Sequence, residues 1–229
     1  NVGQQIIDIS NFKAQKTLNK GNNTKSTTSL RIEKYHGAKK AGTREGSKCK
    51  LFLVEGDSAL TFWISGAAVT GTEYSGSFAL KGKLLNFREA TIKQKEQNKE
   101  IKNICRIMGL KYGEKYNNVN DLRYGGVVLL TDADDDGVHI AGLLINYIHC
   151  NWPELLLIED FISYYRTPIV KLSKKNEQLS FYTQSDYQEW LNENENRKHL
   201  YKIKYYKGLG TSTAKEAKES FQEKNKSLV

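Results

Sequence analysis

The residues best suited to chemistry lie in one short run, Asp132-Ala133-Asp134-Asp135-Asp136-Gly137. It follows the apolar stretch Val127-Val128-Leu129-Leu130 and leads into a second apolar stretch from Val138. Four carboxylates in five positions repel one another, and burying any of them uncompensated is expensive. A fifth acid, Glu55, ends another apolar run, Leu51-Phe52-Leu53-Val54. In parallel sheets functional groups gather at the carboxyl ends of the strands. If the two runs are neighbouring strands, Glu55, Asp132, Asp134 and Asp136 converge at one edge. Carboxylates that close cannot all ionise unaided. An all-oxygen set without His or Cys selects a hard cation, so Mg²⁺ is the natural candidate and Mn²⁺ can substitute.

Three rival readings meet the same residues. A solvated acidic turn capping the helix from position 138 needs one Asp, and four are more than a cap requires. An EF-hand shares the D-x-D-x-D-G spacing, but its twelfth position is Leu143 rather than Glu, and a strand precedes the run instead of a helix. An aspartyl-phosphate hydrolase could use Asp134 and Asp136 as nucleophile and proton donor. That reading leaves Glu55 and a basic N-terminal segment without a role.

The elements that must position these acids follow from local pattern. "CKLFLVEG" (49–56) reads as a strand, and "DSALTFWISGAAV" (57–69) as a helix that Asp57 or Ser58 caps. "GSFALKGKLLNFREA" (76–90) reads as strand and turn, and "NKEIKNICRIMGL" (98–110) as an amphipathic helix with Ile101, Ile104, Cys105 and Met108 on one face. "YGGVVLLTD" is a second buried strand, and "VHIAGLLINYIHCNW" is a helix apolar nearly all round that stops before Pro153. "FISYYRTPIVKLS", "LSFYT" and "LYKIKYYKGLG" read as further strands, and "STAKEAKESFQEK" as an exposed closing helix. Alternating strands and helices predict an α/β domain with a largely parallel sheet flanked by helices. Upstream, a short helical start ("QQIIDISNFKAQKTL") precedes the polar "LNKGNNTKSTTS", and residues 1–47 read as a linker.

Charge is unevenly distributed. The formal net charge is +9, with eleven basic and three acidic residues in 1–50 against 24 and 23 in the remainder. A basic arm fits a polyanionic partner and fits solvated disorder equally. Cys49, Cys105 and Cys150 are too few and too scattered for a disulfide framework or a zinc site, which suggests a reducing compartment. The apolar stretch at 140–150 is too short to span a bilayer, so no membrane association is expected. A chain that starts at Asn1 without Met and ends in "EKNKSLV" reads as a piece of something longer.

"EGDSA" (55–59), "LKGKLLN" (80–86), "TDADDDGVHI" (131–140), "INYIHCNWPELL" (145–156), "TPIVK" (167–171) and "YYKGLGTS" (205–212) occur in that order. The ordered set resembles the metal-binding Toprim region of type IIA DNA topoisomerases, over about residues 30 to 222. "NWPELL" and "YYKGLGTS" favour the eukaryotic and large-DNA-virus branch. The resemblance implies a Toprim, Rossmann-like domain over 48–222, the end of a transducer and a basic linker over 1–47, and the start of a connection to a winged-helix domain over 223–229. It implies metal ligands at Glu55, Asp132, Asp134 and Asp136, with Asp135 a spacer, and a catalytic role for Glu55, His139 and Lys207. Lys81, Lys83 and Asn86 match a loop that lies against DNA. The implied cofactor is Mg²⁺, with Mn²⁺ or Ca²⁺ able to substitute, and ATP binds a domain outside the chain. The implied partners are double-stranded DNA and a second copy of the full-length enzyme. The implied setting is the nucleus, or a virus factory or virion for a viral parent. The implied reaction is reversible transesterification by a tyrosine outside the chain, so the fragment alone breaks nothing. A Toprim nuclease or primase and a HAD-like hydrolase are the alternatives. Val138 stands where the family usually has Ser, Phe62-Trp63 is bulkier than the usual pair, and "FALKGK" lacks a common Pro.

Overall fold

The computed structural model describes residues 12–20, 30–175 and 177–222. Its centre is a five-stranded sheet built from β1 (Tyr35–His36), β2 (Lys50–Glu55), β3 (Ser75–Leu80), β4 (Gly126–Leu130) and β5 (Ile162–Tyr164), in the order β1-β3-β2-β4-β5. β3, β2, β4 and β5 are parallel, and only β1 runs antiparallel at the edge. Both faces of the sheet are covered, so the central strands β2 and β4 are runs of mostly apolar residues, while the flanking β3 and β5 bury Ser75, Ser77 and Ser163 as well.

Alternation along the strands divides the core in two. Phe52, Val54, Ala79, Val128 and Leu130 face α2 (Gly56–Thr70) and α7 (Ala214–Gln222). Leu51, Leu53, Phe78, Leu80, Val127 and Leu129 share the larger core with α4 (Lys99–Met108) and α5 (Asp135–Asn151), whereas the short α3 (Ile92–Gln97) just before α4 buries no side chain. α4 buries Ile101, Ile104, Cys105, Ile107 and Met108, starts from the Asn98 cap and ends at Gly109, whose φ of 79° suits glycine. α5 is less uniformly buried than its composition implies: Ile140, Leu143, Leu144, Tyr147 and Ile148 face the core, whereas Val138 and Ile145 are exposed.

Two local expectations are corrected. Neither Asp57 nor Ser58 caps α2; Glu55 occupies the N-cap position and its side chain makes no capping bond. α7 is not merely an exposed helix, because Phe221 packs against the Tyr165 ring at 5.1 Å and fills the space over Gly66, where a Cβ would lie 2.2 Å from it. Phe62 and Trp63 are buried in this same α2–α7 layer, which absorbs their bulk. Of the late stretches read as strands, β5 extends the main sheet and the rest do not. β6 (Val170–Lys174), β7 (Glu177–Phe181) and β8 (Lys202–Tyr205) form a separate antiparallel sheet, β7-β6-β8, whose small core is Val170, Leu172 and Tyr187 of α6 (Gln184–Glu193).

The segment read as linker is not uniform. Residues 12–18 are helical (α1), and Leu18 joins the larger core. Asn19 exchanges two hydrogen bonds with the Tyr112 backbone, at 2.9 and 2.8 Å. Residues 35–36 are the edge strand β1, and Ala38 and Ala41 are buried. The first part of the expected helical start and most of the polar Asn/Thr/Ser run lie outside the described residues.

Candidate functional site

Strand pairing decides what meets. Val54 of β2 pairs with Leu130 of β4, and Glu55 pairs with Leu80 of β3. The carboxyl ends of three adjacent strands therefore carry Lys81-Gly82-Lys83, Glu55 and Thr131-Asp132 side by side. β2 connects to β3 on one side, and the chain then crosses back to β4 on the other, so this edge is also where the winding direction reverses. Open α/β sheets bind ligands at such switch points.

Each acid has a distinct environment. Asp132, half-buried, accepts a hydrogen bond at Oδ1 from the Leu209 backbone N–H at 2.7 Å. Its carbonyl accepts from the Tyr164 hydroxyl at 3.3 Å, which also meets Thr131 Oγ1 at 2.8 Å. Asp134 caps α5, accepting from the Gly137 N–H at 2.9 Å, so the helix-cap role falls to one acid of the four. Asp136, exposed, pairs with Lys83 at 2.8 Å. That ion pair holds the Asp136 carboxyl below its ordinary range and the Lys83 ammonium above its own, and the His139 charge lowers Asp136 further. Asp135 is exposed on the first turn of α5.

Glu55 differs. Its Oε2 is buried and meets no donor among the described residues. Burial pushes its carboxyl above the ordinary range, and the charges of Asp134, Asp132 and Asp136 push the same way, with Lys83 partly offsetting them. Among the described residues no three His, Cys, Asp or Glu side chains close on a common point. The arrangement is a shared field rather than a finished cage. A buried carboxylate oxygen without a donor, set among three more acids, fits a hard divalent cation. Glu55, Asp132, Asp134 and Asp136 are the residues that could hold it, by turning from their present partners.

The basic residues expected here divide. Lys83 joins the acids through Asp136, whereas Lys81 pairs outward with Glu33 at 2.8 Å. Gly82 between them has a φ of +94°, a left-handed turn that lets both lysines project from the strand end. Asn86 is exposed further along the loop. His139 is exposed on α5, one turn in from the acids, and Lys207 is exposed just before the Gly208-Leu209 turn that reaches Asp132. The Leu209 amide was not anticipated as a functional group, because a backbone N–H has no residue signature. The signal available is the glycine pair of "KGLG", which marks a turn at the end of the strand.

The Toprim domain model matches residues 50–170, and the model of the C-terminal associated domain of Toprim matches residues 165–229. DNA topoisomerase 2 of Drosophila melanogaster is 50% identical over 229 residues, covering 99% of this chain and 16% of that protein. DNA topoisomerase 2 of Arabidopsis thaliana is 46% identical over 222 residues, covering 96% of this chain and 15% of that protein. The chain thus spans about a sixth of the length of these relatives. A crystal structure of the Plasmodium falciparum topoisomerase II DNA-binding, cleavage and re-ligation domain superposes with a TM-score of 0.84 at 45% identity, covering 88% of this chain and 28% of that one. With the Toprim model matched over more than half of its length, the chain belongs to the Toprim family, and it is similar along nearly all of its length to the corresponding region of eukaryotic type II DNA topoisomerases.

Proposed function

We propose that the chain is the Mg²⁺-binding part of an ATP-dependent type II DNA topoisomerase that cleaves, passes and reseals duplex DNA. The observation that carries this reading is the Glu55 Oε2, buried without a donor among the described residues at a strand end where burial and three aspartates raise the carboxylate's affinity for a proton, and so for any cation. A bound Mg²⁺ stabilises charge on a departing 3′ oxygen and on the phosphoryl group. The chain's own residues shape the edge where that charge would develop. Glu55 stands where the strand end offers an acceptor to a reacting proton, Asp132 and Asp134 present oxygens from the neighbouring β4 end, and Asp136 exchanges with Lys83. Lys83 and Lys81 are the groups that meet phosphate, with Asn86 further along the loop. His139 and Lys207 border the same edge. We assign 48–222 to the metal-binding domain, 1–47 to the connection with an upstream ATP-binding part, and 223–229 to the path towards the part that carries the nucleophilic tyrosine. The full-length enzyme works as a homodimer on double-stranded DNA, in the nucleus or in a viral setting.

The test separates cleavage from binding in the full-length parent. Asp132→Ala should slow supercoiled-plasmid relaxation with ATP by on the order of a hundred- to a thousand-fold, the usual effect of removing one electrostatic partner from a transition state. Filter binding of duplex DNA should be unchanged or tighter, and Asp135→Ala should relax plasmid near the parental rate. Full activity of Asp132→Ala would reduce the acids to a helix cap.

A further inference from the structure

We infer that the Gly208-Leu209 turn is a positioning device for Asp132, so that the antiparallel-sheet segment completes the acid edge of the parallel sheet. This rests on the metal reading above and concerns residues that reading does not use. Asp132 belongs to the parallel sheet, yet its carboxylate is held by an amide 77 positions later in the chain, Leu209 N–H to Oδ1 at 2.7 Å. Gly208 lies against the same carboxylate: a Cβ there would sit 2.3 Å from Oδ2. The pair therefore fixes Oδ1 by a donor and walls Oδ2 by a backbone, which selects one orientation of the side chain.

The turn itself is held from several sides. The Leu209 side chain, 2% exposed, is locked in the α2–α7 core. The Gly208 carbonyl accepts from the Thr211 N–H at 3.1 Å and from the Thr211 hydroxyl at 2.7 Å. The Tyr206 N–H donates to the Ile169 carbonyl at 2.8 Å. On the far side Glu216 accepts from Lys204 at 2.8 Å, from the Thr213 N–H at 2.7 Å and from the Tyr206 hydroxyl. Groups that orient a metal ligand without touching the metal generally matter ten- to a hundred-fold in affinity.

Gly208 is an unusually clean site for a test. Its φ of −172° and ψ of 178° are extended backbone that any residue adopts, so Gly208→Ala adds no backbone strain and acts through the Asp132 contact. Gly210→Ala is the control, since a Cβ there meets the Ser58 side chain, Oγ at 3.2 Å and Cβ at 3.4 Å, and does not reach Asp132. Mn²⁺ alone is titrated into the 229-residue chain, free Mn²⁺ is read by electron paramagnetic resonance, and the melting temperature in EDTA checks folding. Gly208→Ala should weaken Mn²⁺ binding by roughly ten- to a hundred-fold, with Gly210→Ala unchanged. If Gly208→Ala does not fold, Glu216→Gln, which loosens the anchor and leaves the turn's sequence intact, should weaken Mn²⁺ several-fold. Parental affinity in whichever variant folds would overturn the inference. A parental chain that takes up no Mn²⁺ would overturn the metal reading itself, a distinct result.

Discussion

Replacing Glu55 with Gln keeps the shape of the side chain, removes its charge and supplies a donor. The buried Oε2 meets no donor among the described residues, and burial together with three aspartates opposes its ionisation. An unsatisfied buried polar group costs about 1–3 kcal/mol. The Glu55 side chain is only half-buried, so the lower end applies, and the metal-free variant should gain about 1 kcal/mol, which for a chain of this size is about 2–4 °C in melting temperature. With cation the order inverts. At a hundredfold excess over Kd the parent gains about 2.7 kcal/mol by mass action, roughly 5–10 °C, and the variant little. The pH dependence has a definite sign. The folded-state carboxyl titrates above its unfolded value, so its contribution to stability is complete below the unfolded value and is lost as pH rises through the folded one. The variant's advantage in EDTA should therefore grow across that window and vanish in acid. Differential scanning fluorimetry in EDTA and in saturating Mg²⁺, at several pH values, reads all of this. A variant that melts below the parent in EDTA, or that gains as much from Mg²⁺, would refute the reasoning.

Two further outcomes follow from the same structure. Lys81→Ala/Lys83→Ala should weaken duplex binding by the 229-residue chain and flatten its dependence on salt, measured at two ionic strengths, because phosphate contacts act through counterion release; an untouched slope would leave the loop as a turn and turn attention to the basic residues before position 50. For Glu216 burial acts to raise the carboxyl, but hydrogen bonds from Lys204, the Thr213 N–H, Tyr206 and the Thr213 hydroxyl outweigh it and hold the group at about 2. Its stabilisation is present above the unfolded value and lost as pH falls towards 2, so Glu216→Gln should cost about 1–3 kcal/mol in urea unfolding at neutral pH and progressively less in acid.

Most of the order of strands and helices from residue 49 to 151 was legible because β2 and β4 are short apolar runs ended by an acid, whereas the short helix Ile92–Gln97, which buries no side chain, carried no apolar period to announce it. The site was legible for the same reason: a strand buried on both faces has no use for a terminal carboxylate, so Glu55 and Asp132 stood out. What was not legible depended on long-range pairing. Ile162–Tyr164 and Val170–Lys174 read as one strand, but Pro168 interrupts them, and they pair in different sheets. Residues 35–36 lie in a basic, polar segment without strand pattern, and they join the sheet only because β3 offers an open edge. Phe221 sits in a helix whose other residues are mostly polar, and its burial depends on Gly66, 155 positions earlier, having no side chain.

The four acids are not equivalent, and the difference says where a cation is most needed. Asp132 has the Leu209 amide, Asp134 has the N-terminus of α5, and Asp136 has Lys83. Each of those partners offsets part of the mutual repulsion. Asp136 and Lys83 are both exposed, so their pair is worth little and exchanges readily. A helix N-terminus likewise contributes only fractions of a charge. Among the described residues Glu55 has no such partner at Oε2, and it lies on the central strand between the other two strand ends, so it feels three aspartates and is offset only at a distance by the Lys83 charge. The repulsion therefore falls on the residue least able to escape to solvent. A polypeptide selected for stability alone would place Gln or Thr at position 55, whereas a site that must hold a positive ion against a polyanion requires the charge to stay.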